Sequence, residues 1–206
     1  MAEEIERRFL TRRLEIRANG DEPRRIIGYG AVFEQLSEDL GGFREMIKPG
    51  AFTETIGKDD IRSLWNHNTL YVLGRTASGT LVVVEDDIGL RYEVIPPDSQ
   101  YAQDFFQSVD RGDVDQSSFG FRAIEESWIN PTDEEPLPIR VLRRVKLYDV
   151  GPVTFPAYPT TSAEARAKVD EINDLASRAT DQVANAQGAA GRLALMRRRL
   201  ELLERL

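Results

Sequence analysis

The sequence predicts a mainly β domain with flanking helices: an α+β arrangement whose sheet is a closed or nearly closed antiparallel barrel, followed by a helical C-terminal extension. Three observations predict it. Short apolar runs recur with the period of two that sends successive side chains to opposite faces of a strand. Turn residues separate these runs, and few helical patterns interrupt them, which favours a sheet closing on itself over a layered α/β fold. From Ser162 onward the period changes to three and four residues, and the charge balance changes with it.

Taken in order, Arg12 to Arg17 alternates charged and apolar residues and reads as a half-buried strand, with Asn19-Gly20-Asp21 as its turn. Residues 25–33 form the next strand, 38–42 a polar loop and 43–47 a short strand. Residues 49–56 read as a short helix with Pro49 and Gly50 in its first turn and Gly57 after its end. Residues 61–65 form a strand that delivers His67, and 74–79 a loop. Leu81 to Glu85 and Leu90 to Val94 flank a turn rich in Asp and Gly and form a hairpin. The successive valines 82–84 predict burial on both faces of its first strand.

Asp98 or Ser99 caps a helix running to about Arg111, with Tyr101, Ala102, Phe105, Phe106 and Val109 as its apolar stripe. A strand starts near Asp115. Residues 130–138, with their prolines and acids, are a surface loop. Residues 139–150 form a long strand, and 156–161 close the domain. The chain thus divides into a domain of residues 1–161 and a tail of residues 162–206. In the tail Val169, Ile172, Leu175, Ala179 and Val183 recur at helical spacing. Residues 184–191 are small, and Leu193, Met196, Leu200 and Leu203 repeat beside a basic side of arginines. Such a segment either folds back on the body or serves as a docking, self-association or self-processing arm.

Composition narrows the function. The chain is 41% hydrophobic and 30% charged, and no apolar run approaches a membrane span, so no membrane partner is expected. The charged start, with Glu3, Glu4, Arg7 and Arg8, predicts no secretory signal. The absence of cysteine excludes disulfides, thiol catalysis and thiolate metal sites. A single histidine argues against zinc, leaves only oxygen-donor sites for Mg²⁺ or Ca²⁺ open, and no cofactor is called for. The net charge of −8 argues against a general nucleic-acid binder. From Ser162 on, basic and acidic residues nearly balance, so that charge belongs to the body.

Three stretches carry candidate chemistry. In the strand from Asp115 to Ile124, Phe119, Phe121 and Ala123 share one face, the core; Ser118, Gly120 and Arg122 share the other. Ser118 is then a hydroxyl held out of the core, and Gly120 leaves room beside it for another chain. His67, the sole histidine, follows a second apolar run; a hydroxyl nucleophile needs a base, and histidine titrates near neutrality. Asp149 is the one acid in the apolar run from Val145 to Tyr158. Each also has an ordinary reading: a serine at a strand start, an incidental histidine, a carboxylate facing water.

Together the three stretches resemble the prohead (capsid maturation) serine proteases of tailed bacteriophages. Gly28-Tyr29-Gly30-Ala31-Val32-Phe33 and Ile47-Lys48-Pro49-Gly50-Ala51-Phe52 add to the resemblance. A small-residue, Phe-rich strand precedes a Pro-Gly-Ala-Phe turn, a histidine, Ser-Phe-Gly-Phe, and an acid ahead of a Val-x-x-Pro-Ala-Tyr close, all in the family's order. The resemblance implies a β-barrel flanked by helices, similar to the herpesvirus maturation proteases. It implies Ser118 as nucleophile, His67 as general base and Asp149 as third member, where the family usually carries glutamate. Arg143-Arg144 resembles the paired arginines that herpesvirus proteases place near the oxyanion; its plain reading is a charged strand pair facing solvent. The implied substrates are the scaffold protein or the scaffolding segment of the major capsid protein, and the protease itself. The implied place is the assembling procapsid in the host cytoplasm, and the implied state is a homo-oligomer, such as a dimer. A competing reading is a non-enzymatic capsid-assembly or scaffold-binding module with the same barrel. An unrelated serine hydrolase lacks support, because there is no Gly-x-Ser-x-Gly elbow.

Overall fold

The computed structural model describes residues 5–10, 14–18, 20 and 22–154, together with the helical residues 171, 172, 175 and 178. The chain divides into two compact units, Met1–Ser162 and Ala163–Leu206. The expected closing segment 156–161, the small-residue stretch 184–191 and the last helix lie outside the described residues.

The first unit contains ten strands and two α-helices among its described residues. In chain order they are β1 (Glu6–Leu10), β2 (Glu15–Arg17), β3 (Arg25–Val32), β4 (Arg44–Ile47), α1 (Thr53–Lys58), β5 (Arg62–Leu64), β6 (Val72–Arg75), β7 (Leu81–Glu85), β8 (Gly89–Val94), α2 (Gln100–Asp110), β9 (Gln116–Ile129) and β10 (Ile139–Val153). One sheet runs β1-β9-β10-β5-β6, with β4 also paired to β10; the other runs β2-β3-β8-β7. Their inner faces share one core, in which Ile26, Leu90 and Tyr92 meet Phe119, Leu147 and Val150. Helix α2 buries Ala102, Phe105 and Phe106 and leads through a short turn into β9.

The mainly β character is as the sequence predicts; the closed antiparallel barrel is not found. Neither sheet closes on itself among the described residues, and β4 and β5 run parallel to β10. Strands β9 and β10 are 14 and 15 residues long, and register shifts around Leu142–Val145 and Leu147–Asp149 bend the pair. One long bent strand can therefore border β4 at one end and β5 at the other, which no pattern of short alternations reveals.

Where a barrel would continue its ladder, β1 and β4 meet through buried charges. Arg8 of β1 donates from Nε to Glu45 Oε1 of β4 at 2.8 Å and from Nη2 to Glu6 Oε2 at 2.9 Å. Arg140 of β10 donates to Glu6 at 2.6 and 3.0 Å, to Glu45 at 3.1 Å and to Glu126 at 2.8 Å. Burial pushes the Glu6 carboxyl up, but the hydrogen bond and charge of Arg140, with the charge of Arg8, outweigh it and hold Glu6 below its ordinary value of 4.5. A depressed folded value means that this stabilisation is complete above the unfolded value and is lost as pH falls through the folded one. The melting temperature of the protein should therefore drop more steeply below about pH 4.5 than that of a Glu6→Gln variant. Parallel acid melting curves would contradict this.

Smaller differences have local causes. Val82 and Val84 are 53% and 37% exposed while Val83 is buried, because β7 is an edge strand with one face in water. Val72–Arg75 is a strand rather than the edge of a loop; four residues are too few to show alternation. Helix α1 begins after the Pro49–Phe52 turn and contains Gly57 rather than stopping before it.

Candidate active site

Two buried rings set the facing of β9. Phe119 and Phe121 stack at 5.0 Å, and Phe52 meets Phe119 edge-on at 5.6 Å. Burying each ring contributes about 1.5–3 kcal/mol, so a one-residue slip of β9 is strongly disfavoured. Ser117 accordingly points inward, its hydroxyl 2.9 Å from that of Tyr92. Burial pushes the Tyr92 phenol above its usual range, so it stays neutral and supplies no base to Ser117. Ser118 lies on the opposite face. Its Oγ is 2.6 Å from His67 Nε2 and 2.8 Å from the carbonyl oxygen of Arg8.

His67 arrives by a tight turn. After β5, Trp65 to Asn68 make a tight turn, closed by the Asn68 N–H donating to the Trp65 carbonyl at 3.1 Å, in which Asn66 and His67 have φ of 56° and 54°. That left-handed region is uncommon for residues with side chains, and it persists only where neighbours enforce it. Asn66 Oδ1 accepts from the Thr154 N–H at 2.8 Å, and its amide donates to Thr154 Oγ1 at 3.1 Å, which ties the turn to the end of β10. Trp65 packs edge-on against Phe105 at 5.3 Å. His67 Nδ1 bonds Asp149 Oδ1 by a short contact.

Asp149 sits on β10 opposite Gly120. A Cβ on Gly120 would lie 2.5 Å from Asp149 Oδ2 and 3.4 Å from Ile5 Cγ2. The space that the sequence reading gave to another chain is therefore filled by the carboxylate itself. Gly120→Ala should displace Asp149 and slow reaction of Ser118 with a fluorophosphonate by about 10²-fold, the scale of loss for a small misplacement. Unchanged labelling kinetics would contradict that role. Gly151, opposite Ser118, serves a matching purpose: a Cβ there would lie 2.5 Å from the Leu64 carbonyl oxygen, so only glycine lets β5 approach and bring the His67 turn over β10.

The structure thus brings Ser118 of β9, Asp149 of β10 and His67 of the turn after β5 into one hydrogen-bonded chain from segments far apart in sequence. With Nδ1–H donated to Asp149, Nε2 keeps its lone pair toward the Ser118 hydroxyl, the order needed to withdraw that proton. Arg143 and Arg144 are not part of it. Arg143 donates to Ser127, and Arg144 lies near Glu54 and Glu125. Arg144 pairs with Glu125, seven residues along β9 from Ser118 and so roughly 20 Å away. Sequence reasoning missed the Arg8 carbonyl, Asn66 and Gly151. Of these only Asn66 left a signal, since asparagine is enriched in left-handed turns. Among the described residues no group of three or more His, Asp or Glu could hold a metal ion, and no helix is long and apolar enough to cross a membrane.

A family model described as caudovirus prohead serine protease matches residues 12–175. Searches of curated proteins and of solved structures give no match.

Proposed function

Since the chain belongs to the caudovirus prohead serine protease family, we propose that it is the endopeptidase that matures the phage capsid, with Ser118 as nucleophile, His67 as general base and Asp149 as the acid that orients the base. The observation that carries this reading is the continuous hydrogen-bonded chain Asp149–His67–Ser118. Ser118 Oγ attacks the scissile carbonyl while His67 Nε2 takes its proton; an acyl-enzyme forms as His67 returns that proton to the leaving amine. Water, deprotonated by the same imidazole, then releases the acyl group. Asp149 fixes the tautomer and stabilises the imidazolium.

The substrates in this reading are the scaffold, or the scaffolding segment of the major capsid protein, and the protease itself, inside the procapsid in the host cytoplasm. Cleavage makes scaffold departure irreversible before DNA fills the shell. Residues 162–206 are assigned to docking or self-processing, and the working unit to a homo-oligomer, such as a dimer. The non-enzymatic reading leaves the left-handed turn that aims His67 at Ser118 without a purpose. Co-expression with the capsid and scaffold proteins of the same phage tests the proposal. One of them should shorten in the presence of the protein and stay intact with Ser118→Ala. Intact partners with the folded wild-type protein would contradict it.

A further inference from the structure

Ser118 and Arg122 lie in step on the outer face of β9, with Gly120 between them. Directly across on β10, Gly151 pairs with Ser118, Asp149 with Gly120 and Lys146 with Arg122. Cross-strand partners share a face. The face that carries the triad therefore continues, one step past Asp149, into two half-buried cations standing side by side.

Like charges directly opposite each other destabilise a sheet, so the fold gains nothing from this pairing. Among the described residues Lys146 forms no ion pair; its ammonium lies 5.2 Å from the centre of the Tyr148 ring. The acids that share a surface recess with Lys146 are engaged elsewhere. Glu54 bridges Lys58 at 2.9 Å and lies 3.6 Å from Arg144, and Asp59 accepts from Thr55 Oγ1 at 2.7 Å.

The site opens toward these cations. In the other direction the face is covered. A Cβ on Gly151 would lie 2.5 Å from the Leu64 carbonyl oxygen, and Asn66 is bonded to Thr154, so the end of β5 and the His67 turn lie over β10 from Gly151 to Thr154. Toward Arg122 the face reaches solvent, and Ile124, just beyond, is 44% exposed. Arg122 is four residues from Ser118, roughly 13 Å along the strand, and an extended peptide spans that distance in about four residues.

We propose that Arg122 and Lys146 form a subsite for an acidic side chain of the substrate, about three to five residues from the scissile bond. This rests on the protease reading above and narrows it: the preferred substrates carry Asp or Glu near the bond that is cut, but not at it. A carboxylate between the two cations takes a partner from each strand and relieves their mutual repulsion.

The test uses the full chain, co-expressed with the capsid and scaffold proteins of the same phage, and maps each cut from the new termini of the products. Asp or Glu should lie about three to five residues to one side of the cut. Replacing that acid by lysine in the substrate should slow its cleavage by about fivefold, the scale of an exposed ion pair. Lys146→Glu in the protease should slow cleavage of the natural substrate and restore that of the lysine-bearing one. Each rate is divided by the fluorophosphonate labelling rate of the same protease variant, so that a disturbed triad does not count as lost recognition. The substitution in the substrate decides the matter even where Lys146→Glu does not fold. Cuts with no acid at that distance, cleavage indifferent to its replacement by lysine, or a folded Lys146→Glu protein that prefers the natural substrate as wild type does would each overturn the proposal and leave the protease reading standing. Capsid and scaffold proteins that stay intact would defeat the protease reading itself.

Discussion

A folded His67→Ala protein should cleave its capsid substrate about 10⁵–10⁶-fold more slowly than wild type, the loss seen when the base of a serine triad is removed. His67 is the chain's sole histidine, so no other imidazole can take over. Its Nε2 is the nitrogen within 2.6 Å of Ser118 Oγ, and alanine leaves the hydroxyl with only the Arg8 carbonyl as partner. Asp149→Asn should cost less, about 10⁴-fold, because the amide favours the wrong tautomer without removing the reacting groups. The measurement is the rate of substrate shortening, with circular dichroism to confirm the fold. Wild-type rates in either variant would remove that residue from the mechanism.

The largest loss of stability should come from Arg140→Met. Burial works against the Arg140 charge, but its hydrogen bond to Glu6 and the charges of Glu45, Glu6 and Glu126 outweigh that and hold the guanidinium further above its usual range. Methionine matches much of the volume and removes the charge. Glu6, Glu45 and Glu126 are then left with Arg8 alone, and breaking such a buried network by taking one partner costs about 3–5 kcal/mol. That is a large share of the roughly 5–15 kcal/mol that holds an ordinary domain folded. Denaturant unfolding measures it. Arg143→Met, at a solvent-facing arginine on the same strand, should change little. Equal effects of the two substitutions would show that the cluster is not a structural anchor.

The parts of the site that were legible in the sequence are those governed by local periodicity. The alternation of Phe119 and Phe121 with Ser118 fixed which serine leaves the core, and an isolated acid in an apolar run marked Asp149. The lone histidine stood out by composition alone. What was not legible depends on partners far along the chain. Strand β1 carries Glu6, Arg7 and Arg8, a charged run that gave no strand signal, yet Glu6 and Arg8 are buried because their partners Arg140 and Glu45 lie 134 and 37 residues away. Gly120 was legible as a gap but not its occupant, since Asp149 reaches it only through the β9–β10 register. The barrel expectation failed for the same reason: most strands were readable, though β1 and β6 were not, and the bends that let β10 serve both β4 and β5 left no local pattern.

The choice between the adjacent serines bears most directly on the site. Ser117 faces Tyr92 in the core, and Ser118 faces His67. The protein is treated with a fluorophosphonate, digested, and the labelled peptide sequenced by mass spectrometry, in wild type and in Ser117→Ala and Ser118→Ala. The adduct should sit on Ser118, persist in Ser117→Ala and vanish in a folded Ser118→Ala protein. An adduct on Ser117, or labelling that survives Ser118→Ala, would contradict the assignment of Ser118 as the nucleophile.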